Sequence, residues 1–309
     1  MKLYRFNDCH RKELSPMELR VLRYFLAATQ TKNISRAADV LHITQPTLSR
    51  QLAQLEEELG TLLFIRGAKQ IVLTESGRLF QRRAAEIITL ADKTIGEMNS
   101  EGRKITGTIS LGIAETMATQ SISETIRRFH RRSPAVRFDL ISGNSAQVQN
   151  KLDKGLIDIG LFIEPIDLSQ YDFFRLPQKD QWVVMMQPGD PLAGKESVSA
   201  VDLADKPVIL PSRVSDYGPL SGLFCERFSR LQVVATYNLI SNAARLVLAD
   251  VGRAITIDGA LTMYDTRKFS IRPLSPAVYS TSVLMWQKSQ PSSPAFHQFL
   301  SLLKDHTIS

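Results

Sequence analysis

The apolar residues of this 309-residue chain change their spacing near residue 107, and that change limits the folds open to it. Up to residue 98 they recur three or four positions apart, as on helices. From residue 107 onward short apolar runs alternate with helical stretches, the pattern of an α/β sheet. At about 100–200 residues per domain the length makes two or three domains. The stretch Asn99-Ser100-Glu101-Gly102-Arg103-Lys104, polar and glycine-containing, reads as the linker between the two patterns.

The first part resolves into short helices. Residues 17–29 place Leu19, Leu22, Phe25 and Leu26 on one face, and 35–41 do the same with Ala37, Ala38 and Leu41. Thr44 is a good N-cap and Pro46 suits a first helical turn. From there Leu48, Leu52, Leu55 and Leu59 form a buried stripe that Gly60 ends. Residues 64–73 read as a hairpin with a basic tip at 67–69. Thr74 caps a long helix over 75–98, whose stripe from Leu79 and Phe80 through Ile87 and Leu90 to Ile95 is too long for so small a domain to bury. It predicts packing against a second copy.

Three short helices followed by a basic hairpin make a winged helix-turn-helix, in which the last short helix enters a DNA major groove. Thr44, Gln45, Thr47, Ser49, Arg50, Gln51 and Gln54 lie off the leucine stripe and face outward. Gln pairs bidentately with adenine and Arg with guanine, while Ser and Thr bond bases or phosphates. Arg66 and Lys69 suit backbone or minor-groove contact from the wing. The competing reading is a helical bundle with a polar surface. The run Glu56-Glu57-Glu58 would repel DNA in the groove, but it stands at the helix end that docking points away from the bases.

Charge is uneven along the chain. Residues 1–105 hold 17 Lys and Arg against 12 Asp and Glu, and residues 106–309 hold 21 against 19. Most of the formal net charge of +7 therefore sits in the first third, which fits either a nucleic-acid-binding end or an ordinary solvated surface. Apolar runs such as 182–186 fall far short of the ~20 residues a membrane helix needs. Charges occupy the N-terminus where a secretory signal needs an apolar stretch, so a cytoplasmic address is expected. Two cysteines, Cys9 and Cys225, make no disulfide framework, and Cys225 within Leu223-Phe224-Cys225-Glu226-Arg227-Phe228 reads as core. The histidines are scattered without metal-ligand spacing, and no nucleophile elbow, Walker loop or dinucleotide fingerprint is present. No metal, cofactor or catalytic residue is expected.

The second part reads as strands near 108–114, 137–141, 157–162, 182–186, 207–210, 253–257 and 281–286. Helices are predicted near 121–132, 145–154, 219–231, 242–249 and 294–303. Their alternation predicts a mostly parallel sheet.

Residues 17–77 resemble the N-terminal domain of the LysR-type transcriptional regulators. The resemblance is carried by Ser35-Arg36-Ala37-Ala38, Thr44-Gln45-Pro46-Thr47-Leu48-Ser49-Arg50-Gln51-Leu52, Leu55-Glu56-Glu57-Glu58-Leu59-Gly60, Leu63-Phe64-Ile65-Arg66 and Leu73-Thr74-Glu75-Ser76-Gly77. Lys69 and Ser76 depart from the commoner Arg and Ala, and about 13 residues precede the usual start. Lys keeps the wing's charge but lacks the bidentate fork. The resemblance implies DNA-contacting roles for Ser35, Thr44, Gln45, Pro46, Thr47, Ser49, Arg50 and Gln54 on the helices, and for Arg66 and Lys69 on the wing.

It further implies a winged helix-turn-helix over 1–74, a dimerisation helix over 75–98, a hinge over 99–106 and an effector-binding domain over 107–309. That last domain is expected to fold like a periplasmic binding protein, with lobe I at 107–179 and 266–309 and lobe II at 180–265. Ligands in open α/β sheets sit beyond the carboxyl ends of strands, beside helix N-termini. That rule selects Ala114-Glu115-Thr116, Gly143-Asn144-Ser145, Phe162-Ile163-Glu164 and Pro211-Ser212. Of these, Thr116, Asn144, Ser145 and Ser212 match family positions that touch the effector, though each also reads as a helix cap. Glu115 adds a negative charge of unknown direction near the cleft mouth, and Arg213 reads either as an anion partner or as surface. The expected partners are double-stranded DNA, a small-molecule effector, RNA polymerase and further copies of the chain, as a dimer or tetramer. The rival class is a small-molecule binding protein whose N-terminal helices serve only for assembly.

Overall fold

The computed structural model describes residues 17–66, 70–98, 105–212, 220, 231–288 and 293–308. They divide into two compact units, Met1–Ile95 and Gly96–Ser309.

The first unit contains α1 (Leu19–Thr31), α2 (Ile34–Val40), α3 (Gln45–Leu59), β1 (Phe64–Arg66), β2 (Ile71–Leu73) and α4 (Glu75–Met98). The Asn33 side chain accepts the N–H of Arg36 at 3.0 Å, so α2 starts one residue earlier than its apolar spacing predicts. Thr44 caps α3 by accepting the Thr47 N–H at 3.4 Å, with Pro46 in the first turn. Gly60 ends that helix in the left-handed region at φ +64°, where a side chain would be strained. Leu48, Leu52 and Leu55 are fully buried with Leu22 and Phe25, whereas Leu59, the last of the expected stripe, is 40% exposed. The Phe25 ring packs against those of Phe64 and Phe80, which ties the hairpin and α4 to the same core.

Two contacts at the foot of the hairpin have no counterpart in the sequence reading. Glu56 is buried rather than part of a solvated acidic run, and its Oε1 accepts the N–H groups of Leu63 and Phe64 at 2.7 and 3.0 Å. A single carboxylate thus fastens the end of α3 to the start of β1. Gly77, in the first turn of α4, lies so close to this segment that a Cβ would stand 2.1 Å from the Leu63 carbonyl oxygen. Beyond it α4 buries Ala84 and Ile88 in the core. Leu79, Ile87 and Leu90 on its other apolar face are exposed within the chain, as is Ile95 near its end.

The second unit opens with β3 (Gly107–Ile113), α5 (Ala118–Arg132), β4 (Val136–Ser142), α6 (Ser145–Asp153), β5 (Ile159–Ile163) and β6 (Tyr171–Met186). It continues with β7 (Val198–Ser199), α7 (Ala200–Leu203), β8 (Pro207–Pro211), β9 (Gln232–Tyr237), α8 (Ile240–Leu248) and β10 (Arg253–Ile257). β11 (Ser270–Ser275), β12 (Tyr279–Gln287) and α9 (Pro294–Ile308) complete it. The strands run in the order β4-β3-β5-β12-β6-β10-β8-β9, with β11 added on β6 and β7 on β11.

Two lobes share this sheet. β3 is parallel to β4 and β5, and β8 is parallel to β9 and β10, as the strand–helix alternation predicts. The expectation of parallel pairing fails where the lobes join. There β12 is antiparallel to both β5 and β6, and β10 is antiparallel to β6. β6 is three times the predicted strand: only its last residues form an apolar run, because its first half lies in lobe I and alternates buried Leu176 and Asp180 with exposed residues. Leu176 belongs to the lobe I core and Trp182 to the lobe II core, so the chain crosses between them near Asp180.

The return crossing corrects the expected boundary at residue 266. β11 pairs Ser270–Pro273 with β6 at 183–186, and Phe269 and Leu274 are buried in lobe II clusters. The chain re-enters lobe I only at β12, where Tyr279–Thr281 pair with 179–181. The helix expected at 219–231, with Cys225, falls almost wholly outside the described residues, as do Arg213 and most of the 99–106 hinge.

Candidate functional site

α3 separates its residues by chemistry. Its leucines face inward, and Gln45, Pro46, Thr47, Arg50 and Gln54 are exposed, with Ser49 half-buried. Thr44 is also exposed, and its hydroxyl stands 2.8 Å from that of Thr47, so the cap orders the turn that carries these side chains. Ser35 is exposed in the first turn of α2. Gln54 lies two turns further along α3 and donates one amide N–H to Glu58 at 3.0 Å, which leaves its Oε1 and second N–H for other partners. Arg66 ends β1 opposite Ile71; its side chain, and the whole of Lys69, lie outside the described residues.

The second site is a cavity of about 100 Å³ between the lobes. Lobe I contributes Ala114 and Glu115 after β3, Gly143, Asn144 and Ser145 at the start of α6, and Ile163 at the end of β5. Lobe II contributes Pro211 and Ser212 after β8, Tyr237 and Asn238 after β9, Ile240 in α8, and Trp182 and Thr256 from the strands. Asn144 and Gln147 form a reciprocal capping box, at 2.9 and 3.2 Å, that fixes the α6 edge of the wall. Glu115 reaches across the cleft, where its Oε2 accepts the Ile240 N–H at 3.4 Å. α8 has no side-chain cap of its own.

Three of the four expected effector residues, Asn144, Ser145 and Ser212, line this cavity. Thr116 does not: it is buried behind the wall at 3% exposure, where the chain turns into the interlobe contact. There the next residue, Met117, donates its N–H to Asp180 Oδ1 at 2.8 Å. Gly259 of lobe II closes on the same point, since a Cβ there would lie 2.0 Å from Asp180 Oδ1 and 2.2 Å from the Met117 nitrogen. Burial, assisted by the charge of Asp258, pushes the Asp180 carboxyl up to about 6 despite hydrogen bonds from the Met117 and Gly259 backbone. The strand-end rule also selected Phe162 and Glu164. Phe162 packs into the core instead, and Glu164 accepts hydrogen bonds from Arg175 and Thr281. Trp182, Tyr237, Asn238 and Thr256 were missed; the same rule finds Tyr237 and Asn238 once β9 is known.

Among the described residues no group of three or more His, Cys, Asp or Glu side chains is placed to hold a metal ion, and no helix is long and apolar enough to cross a membrane. Residues 19–78 match the model of the bacterial regulatory helix-turn-helix protein, lysR family, and residues 102–308 match that of the LysR substrate binding domain. The chain belongs to the LysR family. It is a DNA-binding transcriptional regulator with an effector-binding domain, which removes the reading of the N-terminal helices as an assembly device alone. This LysR-type regulator is 30% identical over 286 residues to the HTH-type transcriptional regulator BudR of Raoultella terrigena, covering 89% of this chain and 97% of that one. It is 28% identical to the Hca operon transcriptional activator HcaR of Escherichia coli K12, over 95% of this chain and 99% of that one. Its fold is that of the LysR family transcriptional regulator CbnR, with a TM-score of 0.73 at 20% identity over 94% of this chain and 99% of that one. DNA binding and oligomerisation are typical of such regulators.

Proposed function

We propose that this LysR regulator reads its operator through the first turns of α3 and is switched by a small molecule bound between the lobes. Gln45, Thr47, Ser49 and Arg50 approach base edges, with Thr44 and Pro46 setting the turn and Ser35 and Gln54 at its margins. Arg66 and Lys69 of the wing bind the sugar-phosphate backbone. The observation that carries this reading is the division of α3, where Thr47 and Arg50 are exposed opposite the buried Leu48, Leu52 and Leu55, and Gln45 is exposed at the helix start. The effector rests against Asn144, Ser145 and Ser212, with Thr116 supporting the wall from behind.

The chains pair through the exposed apolar face of α4, the effector domains join dimers into a tetramer, and effector binding re-angles the DNA-binding units and their contact with RNA polymerase. The reader spans 1–74, the pairing helix 75–98, the hinge 99–106 and the sensor 107–309.

The test is salt-dependent binding of the full-length chain to DNA from its own upstream region and to random DNA. Arg50→Ala should lose discrimination at particular base positions, by roughly ten- to a hundredfold. Lys69→Ala should weaken binding to both DNAs alike and lower the salt slope by about one. Equal losses on specific and random DNA from both variants contradict the assignment.

A further inference from the structure

We propose that the effector carries a protonated amine and that Glu115 is the side chain that recognises it. The proposal rests on the reading of the interlobe cavity as the effector site. Among the described residues around that cavity, Glu115 is the only charged one. Asn144, Ser145, Ser212, Asn238 and Thr256 add uncharged amides and hydroxyls, and the other described lining residues are apolar or aromatic.

Among the described residues no cation is paired with the Glu115 carboxylate, which lies at the N-terminus of α8. Its polar partner is the Ile240 N–H at 3.4 Å, long for a hydrogen bond to a carboxylate. Arg245, on the same helix as Ile240, and Glu115 both influence the Tyr264 phenol, yet Arg245 and Glu115 form no ion pair. Glu115 is exposed at the rim of this partly apolar space, where its carboxylate disfavours an anionic ligand. A protonated amine gains a charge-assisted hydrogen bond at the same place. The hydroxyls and amides then serve the uncharged or carbonyl part of the molecule.

The experiment uses the protein-free metabolite fraction of a bacterial extract. It is loaded at pH 3 on a cation exchanger, which retains amines and amino acids while simple acids and sugars pass through. Each pool is neutralised and titrated against full-length wild type and Glu115→Gln by thermal shift. Gln keeps an acceptor for the Ile240 N–H, so the ligand-free melting temperature should not move. The expected result is stabilisation of the wild type by the retained pool, with Glu115→Gln needing about tenfold more of it for the same shift. Stabilisation by the flow-through alone, or an equal response of the two proteins to the retained pool, overturns the amine and leaves the cavity as the effector site. If neither pool shifts the wild type, the effector-site reading fails and the amine with it.

Discussion

Removing the Glu56 carboxylate should loosen the wing while leaving the rest of the DNA-binding unit folded. In Glu56→Ala two buried donors, the N–H groups of Leu63 and Phe64, lose the one oxygen that accepts both. A hydrogen bond to a charged group contributes about 1.5–3 kcal/mol, and a donor left unsatisfied costs its desolvation. Water entering the space left by the side chain offsets part of this, so about 3 kcal/mol is expected for the pair. A domain stability of about 5–15 kcal/mol survives such a loss. The measurement is hydrogen exchange of the full-length chain, followed in peptides spanning residues 61–66. At 1.4 kcal/mol per factor of ten, protection of these amides should fall by roughly a hundredfold. Glu56→Gln retains one acceptor without its charge and should fall by about tenfold. Glu57→Ala, an exposed neighbour in the same run, should leave protection unchanged. If Glu56→Ala stays within about threefold of the wild type, or matches Glu57→Ala, Glu56 does not hold the hairpin.

Three other outcomes follow from features of the two units. Gly77→Ala places a methyl group 2.1 Å from the Leu63 carbonyl oxygen and should cost about 1–3 kcal/mol, read as a lower unfolding midpoint of the N-terminal unit. Asp180 holds its proton up to about pH 6 when folded, against 3.8 unfolded, so the unfolded chain ionises first as pH rises. Stability should therefore fall between about pH 4 and 6 and remain about 3 kcal/mol lower above that, and Asp180→Asn should flatten the melting temperature over the same range. Replacing Ile87 and Leu90 with Glu charges the exposed face of α4; light scattering should then report loss of self-association with an unchanged circular dichroism spectrum.

Local chemistry made the DNA-binding unit readable in advance. Thr44, Pro46, Gly60 and the Leu48-Leu52-Leu55 stripe act within a few residues of one another, and each sits where helix geometry puts it. Glu56 was not readable, because its partners lie seven and eight residues away and an acidic run at a helix end is ordinarily solvated. In the effector domain the strand-end rule reached Ala114, Glu115, Gly143, Asn144, Ser145, Ile163, Pro211 and Ser212, which converge on one cavity. On the β9 side Gln232–Tyr237 holds the β-branched and aromatic types of a strand but no apolar–polar alternation, so spacing does not mark it. The rule missed β11 because Arg272 and Pro273 interrupt the pattern, although Arg272 hydrogen-bonds the backbone carbonyls of Ala193 and Lys195. Long-range pairing decides both strands, and local propensity cannot register it.

β12 imposes an order on synthesis. It is a central strand of lobe I, between β5 and β6, yet it follows the whole of lobe II in the chain. A ribosome that has released residues 1–95 has supplied all of the contacts that close the winged unit, and those contacts are mostly local. Lobe I at that stage has nothing, and it stays without its middle strand until residue 287 has emerged. A chain cut short anywhere between 187 and 279 therefore carries a complete DNA-binding unit attached to a sensor whose first sheet has a gap. Such a fragment should occupy operator DNA without answering to the effector, and its unpaired β5 and β6 edges are open to strand addition from other chains.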